Sequence, residues 1–320
     1  MSLALHAALV VLLAVALDLV FGDPPNRLHP VAWAGRALTA GRARLCRGGP
    51  ARLLVSGAVL TLGVTAVGAG AGVLVAVLAA ALGPAGLLLE AAALKFTVSL
   101  RGLVAAARSV ERALAAGDLV AARVRLGWHL VSRPTATLDG GHVASGAIES
   151  VAENLTDALV APVAFFLVLG LPGAFAYRAL NTADTMLGYR EGALEYFGKV
   201  AARLDDLANL VPARLAALAI VLAAGRSWPA AWAAMARDHA RTASPNAGWT
   251  IAAMAGALGV TLQKPAAYRI GRGPLPGIAD IECSIAIARW AVGLSLLGMI
   301  AAKTMLERYR DPGMLASLTS

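Results

Sequence analysis

Glu149, Glu153 and Asp157 stand four residues apart at the edge of an apolar stretch. On a helix this spacing puts all three on one face, where each like-charge pair costs ~0.2–0.5 kcal/mol. Such a stripe calls for a cation. Mg²⁺, a hard ion held by one or two carboxylates plus phosphate oxygens, suits it; the alternative is a solvated helix face ahead of a membrane span. Asn154 lies beside the stripe. A second cluster holds Asn181 and Asp184 one helical turn apart, then Tyr189, Arg190, Lys199, Arg203, Asp205, Asp206 and Asn209. Carboxylates interleaved with Arg190, Lys199 and Arg203 suit a metal–phosphate site, in which the acids hold the ion and the bases hold the phosphate. Part of this cluster is equally explained by helix support, since Glu195 precedes Lys199 in the favourable ion-pair order.

Two further elements carry polar chemistry. Ser244 is placed to cap a helix with Pro245 in its first turn. Free amides at such a start attract an anion, and Arg237 and Arg241 lie just upstream; a well-capped helix explains the same residues. Asp23 and His29 sit in a turn fixed by Gly22, Pro24, Pro25 and Pro30. They are candidate ligands or proton carriers, or simply parts of a structural turn. The sequence has no G-x-x-x-x-G-K-[ST] loop, no Cys/His zinc spacing and no G-x-S-x-G elbow. Cys46 and Cys283 read as reduced thiols without chemistry.

The elements that must position these residues are apolar. Of 320 residues 58% are hydrophobic and 15% charged, with a mean hydropathy of +0.69. Soluble domains run nearer ~45–50% and ~25%, so the chain is built to face lipid; disorder and a disulfide scaffold are both excluded. The net charge of +9 comes mostly from arginines scattered between apolar segments with few aromatics. That pattern fits positive loops beside membrane spans, not a nucleic-acid surface. A spanning helix needs ~20 apolar residues. The strongest candidates are residues 3–17, 53–89 and 158–176; weaker ones are 213–225, 247–262 and 284–302. The first is expected to be an uncleaved span.

The uncharged run 53–89 is too long for one helix, and Gly68, Gly70 and Gly72 predict two spans, 53–68 and 72–93, joined by a tight turn. The Arg-rich loop 21–52 is expected in the cytoplasm, with the N-terminus outside and residues 95–157 cytoplasmic again. The expected fold is an all-α, multi-pass integral membrane protein of about four to six membrane-embedded helices, with amphipathic and cytoplasmic helices besides and no sheet. It reads as a single membrane-embedded enzyme domain over residues 1–320: a membrane-rich part, 1–94, motif-bearing helices and loops, 95–283, and a C-terminal hydrophobic helix, 284–303. A full crossing by 158–176 would put the two acidic clusters on opposite sides. Pro172 and Gly173 therefore predict a broken or re-entrant helix that lets both clusters face one pocket.

These clusters, in this order, resemble the adenosylcobinamide-phosphate synthase (CobD/CbiB) family of cobalamin biosynthesis. The resemblance rests on Gly22, Asp23 and Pro24 with His29, Pro30 and Val31; on Glu149, Glu153 and Asn154; and on Asn181 and Asp184 with Gly188, Tyr189 and Arg190. It continues through Ala202, Arg203, Asp205 and Asp206, then Pro212 and Arg214, and ends with Ser244, Pro245, Asn246 and Gly248. It covers about residues 15 to 300, and departs after Gln263, where Lys264 and Pro265 replace an expected glycine.

It implies a multi-pass inner-membrane ligase that joins a propionate carboxyl of adenosylcobyric acid to (R)-1-amino-2-propanol or its O-phosphate. ATP and Mg²⁺ are implied, with an acyl phosphate on the way to the amide. Partners would be these small molecules and the bilayer; self-association and contact with other corrin-pathway enzymes stay open. On this reading Glu149, Glu153, Asp184, Asp205 and Asp206 are catalytic, and Glu149, Glu153 and Asp184 hold the metal. Arg190, Lys199 and Arg203 hold phosphates, and residues 244–248 form a second anion seat. Asp23, His29, Asn154, Asn181, Tyr189 and Arg214 complete the substrate-binding set. Two rival readings make different demands on the sequence. An intramembrane Mg²⁺-dependent prenyl- or phosphatidyl-transferase would need a D-x-x-D-G motif that the chain lacks, and a transporter would place its acids in mid-span within inverted repeats.

Overall fold

Runs of Ala, Leu and Val fold as helix because nothing in them competes for the backbone, and a helix pairs every peptide group internally, as lipid demands. A computed structural model describes residues 2–310 and is helical almost throughout. Four helical stretches are long and apolar enough to cross a membrane: α1 (Leu3–Phe21), α3 (Pro50–Ala81), the run Gly140–Leu187, and the last helix, α14 (Ile278–Arg310). A fifth results if α10 (Lys199–Ala208) and α11 (Leu210–Ala223) count as one bent span. The all-α membrane architecture expected from composition is therefore present. The chain divides into two compact units, one of residues 1–99, 161–207 and 296 onward, the other of 100–160 and 208–295. The motif-bearing stretch 95–283 is thus shared out, its segment 161–207 packing with the membrane-rich N-terminal part.

The first unit is built on α3 against α8 (Ala161–Leu187). Here the expectation of two spans, 53–68 and 72–93, fails: α3 runs unbroken through Gly68, Gly70 and Gly72. Two of these glycines serve packing. A Cβ at Gly68 would lie 2.9 Å from the Phe175 carbonyl, and one at Gly72 would lie 2.6 Å from Pro172 Cα, so the missing side chains let α8 approach. The chain turns only at Gly83, whose φ of 56° needs glycine, and then enters α4 (Gly86–Lys95), which packs along α1. Val55, Val59, Leu62, Val67, Leu74 and Val77 on α3 are each more than half exposed, an apolar outer face suited to lipid. Inside, α2 (Pro30–Leu45) closes a core of Leu38, Leu53, Ala183, Leu187 and Phe197. Helix α8 is broken at Gly170 (φ 68°, ψ −162°), two residues before Pro172, so the helix break expected at Pro172 and Gly173 exists but falls slightly earlier.

The second unit packs α5 (Leu100–Ala115) on α6 (Leu119–His129) and α7 (Gly140–Leu155), with α11, α12 (Trp228–Asp238) and α13 (Ala247–Leu258). Leu100, Leu103, Ala107, Val110 and Ala113 form the buried stripe of α5. Helix α7 is buried from Val143 to Ala152 and then widens into a π-helical turn, Thr156–Val160. Asp157, half-buried, lies within that turn. The unit also contains the one described sheet, a hairpin of β1 (Thr261–Lys264) and β2 (Tyr268–Gly271), paired Leu262 to Ile270. Strands of four residues are too short to reveal alternation in the sequence. Ala266 in their connection has φ 59°, a conformation that favours glycine, close to where the family pattern departs.

Candidate functional site

Glu149, in the buried middle of α7, is 5% exposed. Its Oε1 accepts from Ser145 Oγ at 2.7 Å, one turn earlier, and its Oε2 accepts from the Tyr268 hydroxyl at 2.7 Å. Ser145 Oγ in turn accepts from the Gln263 amide at 2.7 Å, which seats the hairpin on α7. Burial and the negative charge of Glu149 push the Tyr268 phenol far above its ordinary value, so it stays a proton-bearing donor; the nearby Glu153 adds to this. Arg133 Nη2 lies 3.5 Å from Glu149 Oε2, and the Arg133 side chain is 17% exposed. The Nε, Nη1 and Nη2 atoms of Arg133 are buried and make no hydrogen bond among the described residues. A guanidinium with unmet donors is costly to bury, and a carboxylate or phosphate oxygen would satisfy it. Arg133 and Tyr268 escape sequence reading, since they reach α7 from a loop and a strand. Asn154 is half-buried, donating to its own helix at the Ser150 carbonyl (2.9 Å), and Glu153 is exposed.

Also in the second unit, Arg214 donates from Nη1 to Asn246 Oδ1 at 2.7 Å and stacks on the Trp249 ring. Two residues expected to bind substrate are thereby joined, with Arg214 largely committed to bracing the loop. The expected cap at Ser244 is shifted: α13 begins at Ala247 with Asn246 as its cap residue. Ser244 Oγ still accepts from the Asn246 amide at 3.2 Å, because a serine turn two residues ahead of the helix captures the amide that the cap would have taken. Gly248 serves close packing, since a Cβ there would run into the His239 carbonyl.

In the first unit, Asn181 Nδ2 donates to Asp205 Oδ1 at 3.2 Å, and Arg178 Nη1 approaches Asn181 Oδ1 at 3.4 Å. Asn181 and Asp205 are both buried, on α8 and α10. Asp184 is half-buried one turn beyond Asn181, and a Cβ at Gly188 would strike its Oδ1, so Gly188 leaves the carboxylate its place. Tyr189, Arg190 and Arg203 are exposed; Asp206 is half-buried. Lys199 Nζ pairs with Glu195 at 3.1 Å, the helix-support arrangement.

Asp23 and His29 also meet in this unit. His29 Nδ1 accepts from the Val31 amide at 3.2 Å and so caps α2, which leaves the ring proton on Nε2 to be donated to Asp23 Oδ1 at 3.2 Å. Lys95, 6% exposed at the end of α4, reaches Asp23 Oδ1 at 2.7 Å and stands 4.0 Å from the fully buried Asp18; Ser99 donates to Asp23 Oδ2 at 2.7 Å. Lys95 and Asp18 were legible as charges in apolar runs, a signal the sequence reading did not use. Burial alone would raise the Asp23 carboxyl, but His29, Lys95 and Ser99 outweigh it and hold it well below the usual range. A depressed folded value means stability that is present above the unfolded carboxylate value and lost as pH falls through the folded one. The stability difference between wild type and Asp23→Asn, read by thermal unfolding in detergent, is therefore expected to be flat above about pH 5 and to shrink below about pH 4.

Among the described residues no three His, Cys, Asp or Glu side chains gather as a metal cage. Mg²⁺ in nucleotide sites needs only one or two carboxylates and completes its shell with water and phosphate oxygens. Glu149 suits this poorly, because both its oxygens face donors and Arg133 beside it would repel a cation. The exposed Glu153 and the half-buried Asp184 suit it better. The unmet donors of Arg133 fit an anionic group, either a phosphate or a carboxylate.

Comparison with known proteins identifies the family. The family described as CobD/Cbib protein matches residues 11–292. The chain is 42% identical over 284 residues to the cobalamin biosynthesis protein CobD of Dehalococcoides mccartyi, covering 87% of this chain and 92% of that protein. It is 40% identical over 300 residues to the probable cobalamin biosynthesis protein CobD of Methanothermobacter thermautotrophicus, covering 93% and 97%. With the cobalamin biosynthesis protein CbiB of Salmonella typhimurium it shares 39% over 284 residues, covering 86% and 88%. No solved structure matches it. The chain belongs to the CobD/CbiB family of cobalamin biosynthesis proteins.

Proposed function

We propose that this protein forms the amide between a propionate carboxyl of adenosylcobyric acid and (R)-1-amino-2-propanol or its O-phosphate, using ATP and Mg²⁺ at the inner cell membrane. Family membership supports a step of cobalamin biosynthesis. The observation that carries the chemistry is the buried Arg133 guanidinium with unmet donors beside the buried carboxylate of Glu149. An amide-forming enzyme needs that pairing: a fork to hold an anionic oxygen and a base to free the amine. A carboxylate resists amines because its oxygen is a poor leaving group; MgATP, when bound, supplies the phosphoryl group that makes an acyl phosphate of it.

The chain's own residues then have definite tasks. Arg133 holds the oxygens of the reacting carboxyl through its two-pronged N–H array. Glu149 takes one proton from the ammonium group, freeing the lone pair that attacks the carbonyl carbon. Tyr268 and Ser145 fix the direction of that carboxylate, and Tyr268 gives up no proton in doing so. Each unit offers one acid for the ion, Glu153 in the second and Asp184 in the first, and the first unit also carries Arg190, Lys199 and Arg203 for phosphate. Asn181 and Asp205 brace one another near Asp184. In the bond-forming step the C–N bond is made, the C–O bond to phosphate breaks, and phosphate leaves with that oxygen and the second amine proton, as hydrogen phosphate. Adenosylcobyric acid labelled with ¹⁸O in the reacting carboxyl should therefore yield inorganic phosphate carrying one ¹⁸O, with ADP as the other product. Label in AMP, or in neither nucleotide product nor phosphate, would rule out this route.

A further inference from the structure

A cleft of about 390 Å³ opens where the end of α12 meets the hairpin, and its lining includes Arg237, Arg241, Arg269 and Arg272 with one carboxylate, Asp238. Four guanidiniums against one acid leave a net excess of three positive charges in one concavity. Asp238, 0% exposed, organises half of them. Arg237 donates to it from Nε at 3.1 Å and Nη2 at 2.7 Å, Arg241 Nε lies 3.1 Å away, and the Gly271 amide donates at 3.0 Å. Arg241 is held a second time by the Arg269 carbonyl at 3.0 Å. Burial would raise the Asp238 carboxyl, but Arg237 and the Gly271 amide outweigh it and keep it ionised. The acid thus anchors two arginines and binds the hairpin to α12, but it cannot neutralise the cleft.

Arg269 and Arg272 have no carboxylate partner among the described residues, and both are exposed. Arg272 stands between Gly271 (φ 88°) and Gly273 (φ 138°), backbone conformations that suit glycine, and the Thr261 hydroxyl pins the Gly273 carbonyl at 2.7 Å. The turn that presents Arg272 is therefore fixed. Successive residues of a strand point to opposite faces, so Arg269 faces away from its neighbour Tyr268 and the Glu149 cluster. Guanidiniums crowded without counter-charges repel one another, and their planar forks match phosphate oxygens two at a time.

We propose that this arginine cleft is a binding site for a ligand bearing two or more phosphate charges, separate from the Glu149 cluster. A nucleotide polyphosphate and a phospholipid headgroup with two phosphates share that chemistry. The inference does not rest on the amide-forming reading, because binding is read without turnover. The test is titration of the full-length protein in detergent with inorganic tripolyphosphate, by calorimetry, for wild type and the Arg269→Gln/Arg272→Gln variant. Both positions are exposed and outside the Asp238 anchorage, so the variant keeps its fold.

Saturable binding to wild type, about tenfold or more weaker in the variant and weakened by salt, is the expected result. Displacement by ATP then marks a soluble source. Displacement in nanodiscs containing cardiolipin, a lipid with two phosphates, but not in phosphatidylcholine alone, marks a lipid source. Absence of saturable binding, or equal binding by the variant, would overturn the proposal whatever the product assay gives.

Discussion

Glu149→Gln is expected to lower amide formation by about 10²–10⁴-fold, the range for removing a general base. Glutamine keeps the shape and one acceptor oxygen for one of the two hydroxyls, Tyr268 or Ser145, and its NH2 group can donate to the other. What it loses is the ability to accept the proton of the amine and the charge that faces Arg133 at 3.5 Å. The loss should fall on kcat, with KM for the corrinoid changed far less, because Arg133 still holds the carboxyl. Measured in reconstituted membranes at matched protein levels, wild-type turnover would remove Glu149 from the chemistry. Tyr268→Phe gives a smaller effect in the same direction, since it removes a donor that orients the base.

Asp184→Asn is the second large effect: product formation should fall by about 10²-fold or more, the scale of losing one group that stabilises charge in the transition state, with membrane insertion and yield unchanged. Asparagine occupies the same space beside Gly188 but cannot offer a metal a negative oxygen. Gly188→Ala makes a companion test, because its Cβ would push into Asp184 Oδ1 and move the carboxylate without changing its chemistry. If both variants keep wild-type rates, Asp184 is packing only. If Gly188→Ala alone is impaired, the turn into residues 189–190 matters and the acid does not.

The sequence revealed those features that depend on local pattern. Apolar length marked α1, α3 and α14, and the positions of acids and amides one turn apart on helices located Glu149, Glu153, Asn181 and Asp184. Asp23 with His29, and Asn181 with Asp205, were grouped correctly because the partners are close in sequence or share a motif. What escaped was decided by tertiary contact. Tyr268 meets Glu149 across 119 residues and Lys95 meets Asp23 across 72, and no local periodicity records such pairings. The glycines of α3 misled because a helix breaker and a helix-packing surface have the same composition; only the approach of α8 distinguishes them.

The packing of α3 on α8 also explains why an apolar chain can keep polar clusters intact. With no hydrophobic drive between helices in lipid, close backbone approach at Gly68 and Gly72 supplies dispersion contacts instead. In the first unit these contacts fix α8, and with it Asn181 and Asp184. In the second, the hairpin's hydrogen bonds to Ser145 and Glu149 fix α7. The polar residues are thus held by buried, rigid elements, as a site that must place reacting groups within about half an ångström requires.

The most direct measurement is product detection by mass spectrometry. The purified chain in nanodiscs is supplied with adenosylcobyric acid, Mg²⁺ and either (R)-1-amino-2-propanol or its O-phosphate, with and without ATP. The expected result is adenosylcobinamide or its phosphate, formed only with ATP and lost in Glu149→Gln. A corrinoid recovered unchanged with both amines in the presence of ATP, from protein shown to be folded, would contradict the proposal that this protein makes the amide.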